Sequence, residues 1–251
     1  MNEVRVFDSA EKLNAAAAEH IKTAARGAVG ERGRFLLVLA GGTTPRGAYE
    51  QLASQSAGRI DCKRVHVFWS DERCVAPDHE QSNYGMAADS LLHWVNVPAG
   101  NLHRIRGEEP PARAAMMYDL ELAEFFRAAT PAQLGSEPAF DLVILGVGED
   151  GHTASLFPGS PALAASGWAA PTRAPGPAAV AERVTLTFPA ISAARECLFL
   201  VAGTAKRHVV QQILWPPADT GEGGSPPFPA AQVRPRGRSL WFVDAEAAGR
   251  S

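Results

Sequence analysis

The 251-residue sequence predicts an α/β fold, a mainly parallel sheet with helices on both faces, on three observations. Short β-type apolar runs alternate with helix-type segments along most of the chain. Several of these runs contain no polar residue, as befits strands covered on both sides. Two of them lead straight into glycine-rich turns, the position at which open α/β sheets place their ligands.

In chain order, the expected strands are 35–39, 65–69, 140–145, 184–187, 198–201 and 240–243. The expected helices are 10–28, 45–54, 82–92, 113–128 and 204–214. Ser82 is the natural cap of the third helix. In the fourth, Met116, Leu120 and Ala123 recur at i, i+4 and i+7, which predicts one buried face. Two stretches rich in Pro, Gly and Ala, 169–181 and 215–231, read as surface loops, because strand and helix signals resume directly after each. With 46% hydrophobic residues and no repeat of fixed period, the expectation is a single domain over 1–251.

Bulk charge narrows the partners. A net charge of −3 leaves no basic excess to attract nucleic acid or an anionic membrane surface. No apolar run approaches the roughly 18 to 20 residues that span a bilayer, and the first residues lack the features of a signal peptide. Cys62, Cys74 and Cys197 are odd in number, far apart and without metal-ligand spacing, which fits ordinary thiols in a reducing compartment. The expected location is the cytoplasm, with no metal and no cofactor.

The first glycine turn is Ala40-Gly41-Gly42-Thr43-Thr44-Pro45. Paired glycines let the backbone turn sharply and approach a ligand. Thr44 is placed to cap the next helix and Pro45 to open it, so free N–H groups and the helix dipole face the end of the sheet. That arrangement binds an oxyanion, with Thr43 and Thr44 adding hydroxyls. The plain alternative is a turn with no ligand. The Gly-Lys-Ser/Thr ending of a nucleotide loop is missing, so no nucleoside triphosphate is implied.

The second turn, Gly146-Val147-Gly148-Glu149-Asp150-Gly151, satisfies the spacing of a dinucleotide fingerprint, but its chemistry does not fit. Glu149 and Asp150 oppose a pyrophosphate, and the following segment meets Pro158 within about two turns, too soon for the long helix required. What the turn offers is His152 beside Asp150. An imidazole can take a proton from water, and a nearby carboxylate fixes its tautomer and stabilises the cation that forms.

Three further segments carry polar groups to the same sheet edge. After the second strand, Asp71, Glu72 and Arg73 suit either sugar hydroxyls and a phosphate or a surface ion-pair cluster. Asn83 begins the third helix, and Arg183 opens an alternating strand. Lys206 lies in the first turn of a helix, where a cation opposes the dipole, so an anionic ligand accounts for it.

Together these segments resemble the 6-phosphogluconolactonase family, within the wider group that includes glucosamine-6-phosphate deaminases and isomerases. The matching stretches are Gly41 to Pro45, Ser70 to Arg73 with Val75, Pro77, Ser82 and Asn83, and Gly146 to Pro158; then Arg183 to Thr187, Gly203 with Lys206, Pro229 to Ala231, and Trp241 to Asp244. The resemblance implies a Rossmann-like fold of the NagB/RpiA/CoA-transferase kind, and cofactor-free hydrolysis of 6-phospho-D-glucono-1,5-lactone to 6-phospho-D-gluconate in the oxidative pentose phosphate pathway. It makes His152 the base that activates water and Asp150 its support. The phosphosugar lactone is then bound by Gly41, Gly42, Thr43, Thr44, Asp71, Arg73, Asn83, Arg183 and Lys206, with Arg73, Lys206 and the 42–44 loop on the phosphate. Backbone N–H groups of 148–151 are expected to meet the oxyanion. Thr43 replaces a common serine, and Ser192 a common asparagine. The alternatives are a deaminase or isomerase, whose histidine is assisted by a glutamate at the register occupied here by Phe157, and a sugar-phosphate-sensing module, for which no helix-turn-helix precedes the first strand.

Overall fold

The computed structural model describes residues 2–55, 60–128, 139–216 and 228–250. A seven-stranded sheet runs in the order β1 (Asn2–Phe7), β10 (Arg238–Asp244), β9 (Glu196–Val201), β6 (Leu142–Leu145), β2 (Phe35–Leu39), β3 (Val65–Trp69), β5 (Leu102–His103). Every neighbouring pair in it is parallel. β2, β6 and β9 are buried at every residue, which requires cover on both faces and explains their unbroken apolar sequence. A second, antiparallel sheet holds β4 (Asp71–Arg73), β8 (Glu182–Leu186) and β7 (Ala169–Arg173).

The strand order locates the crevice. From β2 the chain proceeds outward to β3, whereas from β6 it proceeds the other way to β9, so the order reverses between the adjacent strands β2 and β6. Loops leaving such a pair at their C-terminal ends diverge and leave room for a ligand. Those loops are the two glycine turns.

Around the sheet, α1 (Ala10–Arg32) packs on α2 (Thr43–Gln55), which packs on α3 (Asn83–Ser90). Ser9 caps α1 by accepting from the Lys12 amide, and Gly33 ends it in the left-handed conformation. α4 (Pro111–Ala128) packs against β7 and β8.

The structure corrects several expectations. Residues 169–173 are strand β7, not loop; their inward–outward alternation is visible in the burial pattern but is masked in sequence by Ala and Pro. The N-terminal residues 2–7 form an edge strand on β10. In α4 the buried stripe is Ala114, Tyr118, Leu122 and Phe126, while Met116 and Leu120 are 56% and 59% exposed. Two apolar stripes compete on this helix, and the one with the aromatic rings has more area to bury, at roughly 1.5–3 kcal/mol for each large side chain. Phe126 stacks on Trp168 at 4.7 Å between centroids. α2 begins at Thr43 rather than after Thr44, because Gly42 at φ 103° completes the turn by itself. Of the expected loop 215–231, residues 217–227 lie outside the described residues, and Pro229–Gln232 is a short helix.

On the neighbouring strands β3 and β5, the Nδ1 of His66 lies 3.2 Å from the Nε2 of His103, whose Nδ1 meets Glu121 at 2.8 Å. Burial first, then the charges of His103 and Arg34, pushes His66 down from 6.5 to about 4. A histidine held below its unfolded value contributes stability above that value and loses it as pH falls toward the folded one. Urea unfolding at a series of pH values should therefore show stability declining between about pH 6.5 and 4. His66→Leu should flatten that decline, and an identical profile would show that His66 does not cause it.

Candidate active site

A cavity of about 560 Å³ opens over the ends of β2, β6 and β9. All eleven side chains or backbones expected at the site line it: Gly41, Gly42, Thr43, Thr44, Asp71, Arg73, Asn83, Asp150, His152, Arg183 and Lys206. Glu149, Ala154, Ser155 and Phe157 line it as well.

The histidine is set by its own loop. Gly148 N–H donates to the His152 carbonyl at 2.8 Å, and Gly151 N–H to the Gly148 carbonyl at 3.0 Å, with Gly151 at φ 80°. This tight turn brings the Asp150 carboxylate within 2.6 Å of His152 Nδ1, and the same oxygen accepts the His152 amide at 3.1 Å. The carboxylate can only accept, so Nδ1–H donates to Asp150 and the lone pair of the neutral ring lies on Nε2. The ring rests against Phe157, with centroids 4.6 Å apart. Partial burial works to raise the Asp150 carboxyl, but the hydrogen bonds and charge of His152 outweigh it and hold the group below the usual carboxylate range.

The same geometry narrows the expectation for the oxyanion, removing Gly148 and Gly151 from the 148–151 set. The amides of Gly148, Gly151 and His152 already donate within the turn. They are not free to meet a new charge without breaking the loop that orients the base.

At the end of β3, the two acidic neighbours separate in role. Glu72 is buried and accepts from the amides of Arg73, Asn83 and Tyr84 and from the Ser82 hydroxyl, so it serves the start of α3. Burial raises its carboxyl, and the three amide bonds offset part of that rise. Asp71 lines the cavity and accepts from Ser155 Oγ at 2.7 Å and Ser70 Oγ at 3.1 Å. Asn83 Nδ2 donates to the Asp71 carbonyl at 2.9 Å. Gly41 passes so close that an added Cβ would lie under 3.0 Å from the Asn83 amide group, so a larger residue there displaces the Asn83 side chain.

The cations come from different elements. Arg73 on β4 pairs in register with Arg183 on β8 and donates through Nη1 to the Gln81 carbonyl at 2.7 Å. Burial and the adjacent Arg73 charge lower the Arg183 guanidinium, with Asp71 working against them. An anion between the two relieves that repulsion. Lys206 ends a short 3-10 turn after β9, immediately before the helix Arg207–Leu214.

Sequence reasoning missed Ser155, which bonds Asp71 across 84 positions, and Ala154, whose φ of 49° is unusual for a residue with a Cβ. Neither has a local signal. Among the described residues, no group of three or more His, Cys, Asp or Glu side chains is arranged to hold a metal ion, and no helix is long and apolar enough to cross a membrane.

Residues 8–241 match the family model described as glucosamine-6-phosphate isomerases/6-phosphogluconolactonase. The chain is 40% identical over 221 residues to a 6-phosphogluconolactonase of Synechocystis, covering 88% of this chain and 86% of the relative. It is 37% identical over 249 residues to the 6-phosphogluconolactonase of Homo sapiens, covering 98% and 92%. The crystal structure of 6-phosphogluconolactonase from Thermotoga maritima superposes with a TM-score of 0.80 at 31% identity, covering 97% of this chain and 100% of that one. A monomeric glucosamine-6-phosphate deaminase shares the fold, with a TM-score of 0.77 at 19% identity.

Proposed function

This chain belongs to the family of glucosamine-6-phosphate isomerases and 6-phosphogluconolactonases, and on that footing we propose how it hydrolyses 6-phospho-D-glucono-1,5-lactone to 6-phospho-D-gluconate in the oxidative pentose phosphate pathway. His152 Nε2 takes a proton from a water molecule as the water oxygen attacks the lactone carbonyl carbon. Asp150 steadies the imidazolium that forms. When the tetrahedral intermediate collapses, the bond from that carbon to the ring oxygen breaks, and the imidazolium returns its proton to the ring oxygen, now a hydroxyl. A lactone is a reactive ester, so positioning contributes more than nucleophile strength.

Binding divides among the other groups. The Gly41 to Thr44 turn with Arg73, Arg183 and Lys206 takes the phosphate, and Asp71 and Asn83 take sugar hydroxyls. No cofactor and no metal take part. A single domain over 1–251 in the cytoplasm, with neither nucleic acid nor membrane as partner, completes the reading.

The observation that carries this proposal is the contact of His152 Nδ1 with Asp150, which directs Nε2 of the neutral ring to act as acceptor, in the same cavity as three cations. Phe157 against the imidazole also favours hydrolysis over ring opening and isomerisation, since a phenyl ring cannot relay a proton. Lys206→Ala tests the phosphate assignment. A charge-assisted bond of about 1.5–3 kcal/mol corresponds to a KM raised by roughly 10- to 100-fold, with kcat nearly preserved. An unchanged KM would place the phosphate elsewhere.

A further inference from the structure

Two buried tyrosines each grip the end of a strand beside the cavity. Tyr49, on α2, accepts from the Ala40 amide at 2.9 Å and donates to the Ala40 carbonyl at 3.0 Å. Tyr118, on α4, does the same for Trp69, at 3.1 Å in both directions. Each hydroxyl thus replaces the partner that a sheet neighbour supplies elsewhere on the strand.

The surroundings of the two grips differ. Beyond Trp69 the chain has other anchors: Ser70 N–H donates to the Leu39 carbonyl, Leu186 N–H donates to the Ser70 carbonyl, and Asp71–Arg73 pairs with β8. Ala40 instead leads directly into Gly41 and Gly42, and the chain then enters the helix that carries Tyr49. The phenol ties the two ends of this turn together, and burial raises its pKa above the ordinary phenol range, so it remains a donor. We propose that Tyr49 is a positioning residue that pre-sets the Gly41 to Thr44 turn for the phosphate group of the substrate. This rests on the assignment of phosphate to that turn.

Tyr49→Phe removes one oxygen and leaves the buried ring, so the Ala40 amide and carbonyl both lose the phenol. With the turn loosened, KM for 6-phospho-D-glucono-1,5-lactone and the inhibition constant of inorganic phosphate should each rise by about 10-fold, equivalent to about 1.4 kcal/mol. Hydrolysis of unphosphorylated D-glucono-1,5-lactone should stay within about twofold, since positioning confined to the phosphate turn leaves His152 as it was. Tyr118→Phe loses the same pair of bonds and should lower the melting temperature comparably while leaving phosphate inhibition unchanged. Equal slowing of both lactones by Tyr49→Phe, or an unchanged phosphate constant, overturns the proposal. A wild-type enzyme indifferent to phosphate on either lactone removes the phosphate assignment itself, and this proposal with it. Amide exchange on the wild type provides a readout that does not depend on the variant folding. The Ala40 amide should be protected before inorganic phosphate is added, and free exchange there contradicts a pre-set turn.

Discussion

His152→Ala should retain the fold and bind phosphosugars, yet lose about 10³-fold in kcat, within the range of 10² to 10⁴ for a positioned general base. The side chain is about one-third exposed, at 32%, so truncation opens no core cavity. Its polar partner, Asp150, is 40% exposed and can be solvated when the imidazole is gone. The loss should fall on kcat, because the binding groups come from other elements: the turn after β2, the β4–β8 ladder and the start of the helix after β9. Turnover must be corrected for spontaneous opening of the lactone, which sets the floor that the variant approaches. Near-normal turnover would sink the mechanism.

Gly148→Ala should damage catalysis almost as severely without touching any titrating group. A Cβ on Gly148 would lie under 3.0 Å from His152 Nδ1, His152 Cε1 and Asp150 Oδ1 at once. The methyl therefore occupies the space in which the base meets its carboxylate. Gly148 is not among the residues of positive φ, so its backbone accepts alanine, and the cost arises from displaced side chains. Since a misplacement of about 1 Å costs on the order of 10²-fold, kcat/KM should fall at least that far, with the melting temperature little changed. A variant with normal kcat/KM would show that the Asp150 contact does not set the working position of His152.

The parts that were legible in the sequence share a physical cause. Strands β2 and β3 were legible at their observed bounds because each is a short run of β-branched, aromatic and leucine side chains, with His66 the one polar residue, closed at once by a turn signal. The gathering of the candidate residues around one cavity was legible because their motifs follow the C-terminal ends of parallel strands, or pair with a segment that does. One topological rule then brings Gly41, Asp71 and His152 to one crevice. Choices between near-equal local alternatives were not legible. On α4, helical spacing alone allowed the Met116 stripe as readily as the Tyr118 stripe, and the larger aromatic area of the latter is buried against Trp168, β7 and β8. Contacts at long separation also left no local trace, such as Ser155 with Asp71 or the Tyr118 hydroxyl with Trp69. The Gly148 and Gly151 amides illustrate the same limit, since loop placement suggests open donors there and the folded turn uses these two itself.

Water activated by His152 attacking a phosphorylated lactone is the step from which the other roles follow. The most direct measurement compares initial turnover of freshly made 6-phospho-D-glucono-1,5-lactone, corrected for spontaneous hydrolysis, with turnover of glucosamine 6-phosphate by the same enzyme. The prediction is rapid loss of the lactone, abolished by His152→Ala, and no comparable turnover of the amino sugar. Faster consumption of glucosamine 6-phosphate, or lactone hydrolysis indifferent to His152, would contradict it.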